Sequence, residues 1–135
     1  MTESQHMQNQ QMWDRLLSGG DKYISLGTRK RDGSIVRTPV WFVTHGKELI
    51  ITTQGSSGKA KRVRNFPEVD LATCDMRGKI QGAIISAAGQ LISENGSDAF
   101  VKLFKKKYGL MFRLMSLRGS KDRVFIRISR NGFES

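Results

Sequence analysis

The chain has one cysteine, two prolines and no apolar run approaching the length that spans a bilayer. The single cysteine, Cys74, excludes an internal disulfide and any site built from several thiolates, and it fits a cytoplasmic setting. Free cysteine is among the most buried residue types, so Cys74 reads as a small core hydrophobe rather than a nucleophile. Two histidines, His6 and His45, have no paired acid or thiol close by in sequence, so neither a catalytic triad nor a metal centre is expected. Acid is scarce as well: 12 Asp and Glu stand against 23 Lys and Arg, for a formal net charge of +11. Such an excess predicts an anionic partner, although charge alone does not separate nucleic acid, a membrane surface and a small polyanion. Residues 1–11 are polar and glutamine-rich, without the basic-then-apolar order of a signal peptide, and their composition predicts disorder. Residues 12–135 are then expected to form one soluble domain.

Periodicity divides that domain into elements. Met12, Trp13, Leu16 and Leu17 recur at helical spacing and stop at Gly19-Gly20. Strand character follows over Tyr23 to Thr28, Ile35 to Thr44 and Glu48 to Thr53, with turns at Asp32-Gly33 and His45-Gly46-Lys47, which together predict a three-stranded meander. A short basic helix ends at Asn65-Phe66-Pro67, after which Val69 to Met76 and a long strand from Ile80 to Ser93 flank the turn at Arg77-Gly78-Lys79. Ser97 is placed to cap a helix whose apolar stripe is Phe100, Val101, Phe104 and Tyr108, with Lys102, Lys105, Lys106 and Lys107 on its other faces. Beyond Gly109, Leu110, Met111, Leu114, Met115 and Leu117 predict a second helical piece, and Arg123 to Ser129 alternates like a closing strand. The whole reads as a small, mainly β antiparallel barrel with flanking helices.

The stretch richest in chemistry runs from Ile50 to Arg64: a strand, the small residues Gln54-Gly55-Ser56-Ser57-Gly58, then a helix start carrying Lys59, Lys61, Arg62 and Arg64. Such a junction suits an anion, because the first helical turn leaves N–H donors unpaired and the macrodipole favours negative charge there. It lacks Walker spacing, since Lys59 is followed by Ala60 rather than serine or threonine, which argues against a nucleoside-triphosphate site. Taken alone, a basic run is more often a solvated face, Trp41 a core aromatic and Pro39 an edge-strand residue.

Several segments in order carry a resemblance. Tyr23 to Thr28, Arg37-Thr38-Pro39-Val40-Trp41-Phe42, and Thr52-Thr53 through Ser57-Gly58-Lys59-Ala60-Lys61-Arg62-Val63-Arg64 are similar to the pyridoxamine 5′-phosphate oxidase-like flavin and deazaflavin oxidoreductases, especially the coenzyme F420-dependent branch. Asn65 to Val69, Cys74 to Gly78 and Lys106 to Leu110 extend the likeness over most of the chain. Two features depart from it: Ala87-Ala88-Gly89-Gln90-Leu91 replaces a Gly-Thr-Ala-like segment, and the connection from Arg118 to Lys121 is short.

The resemblance implies a split β-barrel, a homodimer, and a cofactor in a groove at the subunit interface. It implies that Pro39, Val40 and Trp41 border the cofactor ring, that Thr52 and Thr53 lie near the ribityl and phosphate region, and that Ser57, Lys59 and Arg62 hold the phosphate. Lys61 and Arg64 would face the acidic tail of F420 or solvent. The function expected is hydride transfer between a reduced deazaflavin and an electron-poor small molecule, with no side chain singled out as acid or base. Alternatives are an FMN-dependent oxidase or reductase of the same fold, a nucleic-acid or polyanion binder, and a carrier of a cofactor or haem-like ligand. Nucleic acid is disfavoured because the first basic cluster has no interleaved aromatic residues.

Overall fold

The computed structural model describes residues 2–92, 97–119 and 123–130. Helix α1 spans Glu3–Leu17, so the segment expected to be disordered is helical from Glu3 onward. The reason is local: Thr2 and Gln5 form a capping box, Gln5 N–H donating to Thr2 Oγ1 at 3.2 Å and Thr2 N–H to Gln5 Oε1 at 2.8 Å. Glutamine also sustains a helix well, and Met12, Trp13 and Leu16 anchor the C-terminal half in the core. Composition alone registers the polarity of the segment and misses its cap.

Strands β1 (Ile24–Arg29) and β2 (Ile35–Val40) form the hairpin that Asp32-Gly33 predicts. Gly33 takes φ +87, and Asp32 Oδ1 accepts from Ser34 N–H at 2.9 Å to close the turn. A second hairpin joins β3 (Phe42–His45) to β4 (Glu48–Gln54) around Gly46 at φ +62. The strand expected to run unbroken from Ile35 to Thr44 is therefore two strands, interrupted at Trp41. The expected three-stranded meander is two hairpins.

That interruption dictates the architecture. With α2 (Gly58–Asn65), β5 (Glu68–Thr73), β6 (Ile85–Ile92), α3 (Ser97–Tyr108), α4 (Leu110–Gly119) and β7 (Arg123–Arg130), the sheet has seven antiparallel strands in the order β2-β1-β5-β6-β7-β4-β3. Strands β2 and β3 sit at opposite ends of that order, yet only Trp41 separates them in sequence. Consecutive Cα atoms are about 3.8 Å apart, so the two ends must meet and the sheet must curl. Contact between β2 and β4 reports the same closure. Pro39, which has no N–H to donate, is tolerated because β2 is terminal in the ladder.

The strand expected from Ile80 begins only at Ile85, since Cys74 and Ile80 make one isolated bridge and the intervening loop is held by Asp75 Oδ1, which accepts from Arg77 N–H and Lys79 N–H at 2.9 Å each. Its expected end at Ser93 lies outside the described residues, as does the connection at residues 120–122. Alternation then sorts side chains to the two faces of the curled sheet. Leu49, Ile51, Ile126 and Ile128 point inward with Ile24, Leu26, Phe42 and Leu71, plugged by Trp13 and Leu16 of α1. Val43, Ile50 and Phe125 point outward, where Phe100, Phe104 and Phe112 of α3 and α4 cover them.

Candidate functional site

A cavity of about 370 Å³ opens where the end of β4, the start of α2, α4 and the start of β7 converge beside the Trp41 corner. Its described lining is Trp41, Thr52, Thr53, Gln54, Ser57, Lys59, Phe112, Met115 and Arg123. Sheet register and the cap of α2 bring several of them there. Antiparallel pairing of β4 with β7 sets Thr52 opposite Phe125 and Gln54 opposite Arg123, which brings a guanidinium from the far end of the sequence to the loop that follows β4. The chain then turns, Ser57 N–H donating to the Gln54 carbonyl at 3.0 Å, and Ser57 caps α2 by accepting from Ala60 N–H at 3.2 Å. The Thr53 and Ser57 hydroxyls lie 3.2 Å apart, so β4 and the helix cap present their oxygens as a pair.

The cations of the described lining are partly desolvated. Lys59 is half-buried, and its pKa is lowered first by burial and second by the positive charge of Arg62. Burial also pulls the Arg123 guanidinium down from its ordinary value, and its Cζ lies 4.5 Å from the centre of the Phe112 ring. Among the described residues the lining contains no carboxylate. Two partly desolvated cations and a pair of hydroxyls offer donors that suit an anion, and hydrogen bonds to charged groups are the stronger kind.

Five residues singled out from the sequence meet in this cavity: Trp41, Thr52, Thr53, Ser57 and Lys59. Pro39, Val40, Lys61, Arg62 and Arg64 do not line it. Val40 is buried in the barrel interior, and Pro39 packs over Gly78, its Cδ 3.3 Å from where a Cβ there would stand. Lys61 is exposed. Arg62 turns back over Gly58 and donates from Nε to Thr28 Oγ1 at 2.7 Å, tying α2 to β1. Four lining residues, Gln54, Phe112, Met115 and Arg123, were not among those singled out. The apolar spacing read after Gly109 includes Met115 but leaves out Phe112; for Arg123 no local signal exists, because its place depends on the pairing of β7 with β4.

Neither Cys74 nor His45 is among the described residues lining the cavity: burial raises the pKa of the Cys74 thiol, and His45 meets Phe100 edge-on. Among the described residues no three His, Cys, Asp or Glu side chains cluster, and no helix is long and apolar enough to cross a membrane.

Comparisons with known proteins agree on the architecture. Solved structures similar to this one include a conserved hypothetical protein of Mycobacterium tuberculosis, 20% identical, TM-score 0.64, covering 96% of this chain and 81% of that one. The haem storage protein HutZ of Vibrio cholerae is 11% identical with TM-score 0.67, over 97% and 92% of the two chains. An F420 reductase is 18% identical with TM-score 0.60, over 85% and 90%. At these identities the likeness concerns the fold. No curated protein matches the chain. The pyridoxamine 5′-phosphate oxidase family model matches residues 15–133, from the end of α1 past the last strand, and the chain therefore belongs to that family of split β-barrels.

Proposed function

We propose that the cavity holds a flavin-type cofactor by its phosphate, coenzyme F420 before FMN, and that the protein is an oxidoreductase acting on an electron-poor small molecule. One observation carries this reading: Lys59, Arg123 and the hydroxyls of Thr52, Thr53 and Ser57 share a cavity with the apolar surfaces of Trp41, Phe112 and Met115. A ligand with an anionic end and a planar ring system matches both halves of that chemistry. The net charge of +11 favours the more acidic of the two cofactors, and the F420 reductase among the structural neighbours is compatible with the choice.

When bound, a reduced deazaflavin supplies a hydride. The chain's own residues bind and orient it. Lys59 and Arg123 offset the phosphate charge, Ser57 and Thr53 donate hydroxyls to its oxygens, and Trp41, Phe112 and Met115 exclude water from the ring. In this reading Lys61 and Arg64 meet the acidic tail, while Arg62 contributes through the fixed position of α2. A homodimer belongs to the same proposal: α4 leaves Leu110, Met111, Leu114 and Met115 exposed beside the cavity, and a second copy would cover them.

Haem is the competing ligand, since HutZ shares the fold. The described lining offers it no histidine, cysteine or tyrosine as an axial partner, and Met115 is the methionine among those residues. Side-by-side titration with F420, FMN and haem, followed by fluorescence quenching or absorbance, tests the proposal. Saturable 1:1 binding of F420 tighter than the other two is the expected result. Preference for haem, or no saturable binding of either flavin-type molecule, would overturn it.

A further inference from the structure

Trp41 is the corner of the barrel and also a wall of the cavity, so whatever fixes its indole fixes that wall. Strand β3 ends the sheet order, which leaves the outward-facing backbone groups of an edge strand in need of partners. At Phe42 those partners come from the last residues of α3. Tyr108 accepts from Phe42 N–H at 3.0 Å, donates to the Lys22 carbonyl at 2.7 Å and has the Phe42 carbonyl at 3.0 Å. Lys107 Nζ donates to that same carbonyl at 2.8 Å and sits 3.6 Å from the centre of the Phe42 ring. The Tyr108 ring, pinned in this way, lies against Trp41 with centroids 4.4 Å apart and planes 11° from parallel. Behind it Phe104 stacks on Tyr108 at 5.9 Å, and Phe104 has no exposed surface.

We infer that Tyr108, which is not among the residues lining the cavity, is the positioning residue for Trp41, so that a planar ligand ring stacked on Trp41 extends a column already built from Phe104 and Tyr108. The inference rests on the cofactor reading for the ligand but not for the column, which the free protein contains. One face of Trp41 is occupied by Tyr108, leaving the other face and the edges for the cavity. The corner has no sheet pairing of its own, because β2 ends at Val40 and β3 begins at Phe42, and the orientation of the indole is therefore set by the α3 clamp.

The test compares wild type, Tyr108→Leu and Tyr108→Phe in the full chain. Trp13 is 4% exposed, so acrylamide quenching of tryptophan fluorescence reports mainly on Trp41. Tyr108→Leu should raise that quenching in the free protein and weaken F420 and FMN binding by roughly three- to tenfold, the range of an aromatic pair. Competition by inorganic phosphate, which probes the Lys59 end, should be unchanged. Tyr108→Phe keeps the ring and should recover most of the affinity. Melting curves identify a variant that has failed to fold; Tyr108→Phe, which loses the hydroxyl that pins the ring, should then show quenching raised above wild type, and quenching equal to wild type would overturn the inference. Unchanged quenching and affinity in Tyr108→Leu would overturn the inference, as would an equal loss of phosphate competition, which would mean general disturbance. If wild type binds neither F420 nor FMN the cofactor reading falls, whereas raised quenching in Tyr108→Leu alone still upholds the positioning of Trp41.

Discussion

Lys107 shows how one residue joins fold and environment. Burial lowers its pKa from 10.5 to about 8, more than the neighbouring Asp21 raises it. Between those two values the unfolded chain carries a proton that the folded chain has released, so stability rises with pH across the window and the buried charge is a cost below it. Thermal melts of wild type and Lys107→Met on both sides of the window should show the wild type gaining relative to the variant as pH rises; a constant difference would mean that the charge is not desolvated. None of this was legible in the sequence, where Lys107 is one of several lysines spaced around a helix. The junction from β4 into α2 was legible, because the small residues Gln54 to Gly58 and the basic run from Lys59 stand side by side in the chain, and local chemistry is what a sequence displays. The hydrogen bond of Arg62 was not legible: its partner Thr28 is distant in sequence, and Arg62 is not among the described residues lining the cavity.

Elements were predictable where a turn or a period marks them and obscure where tertiary contacts decide. Both hairpins follow from glycine turns, and the apolar stripe of α3 follows from its spacing. The break at Trp41 carries no such mark, since Val40, Trp41 and Phe42 all favour strands. What breaks the strand is closure of the sheet, a property of all seven strands together. Helices α3 and α4 are attached to the outer face chiefly by aromatic packing, with Phe104 in contact with Tyr108, Phe112 and Phe125. Phe104→Ala should therefore cost about 3 to 5 kcal/mol, the usual range for a buried phenylalanine, and expose the cavity side of α4. Denaturant melts read the first effect and proteolysis within α4 the second. A loss below about 1 kcal/mol would show that the helices are held by other contacts.

At the scale of the molecule, a basic barrel leaves a cavity where Lys59 and Arg123 sit without a carboxylate among the described lining residues. The distributed charge and the local grip make different predictions. Exposed charges are screened over about 10 Å at about 0.1 M ionic strength, so any advantage of F420 over FMN that comes from its acidic tail should shrink as salt rises. An advantage that persists at high salt would locate the discrimination inside the cavity instead. The local grip is tested most directly by the cofactor affinity of Lys59→Ala beside that of Lys105→Ala, an exposed lysine of α3 outside the cavity lining. A charge-assisted hydrogen bond contributes about 1.5 to 3 kcal/mol, so Lys59→Ala should weaken F420 binding on the order of tenfold or more while Lys105→Ala leaves it nearly unchanged. Equal losses from the two substitutions would mean diffuse attraction to a basic surface and would contradict a built phosphate site.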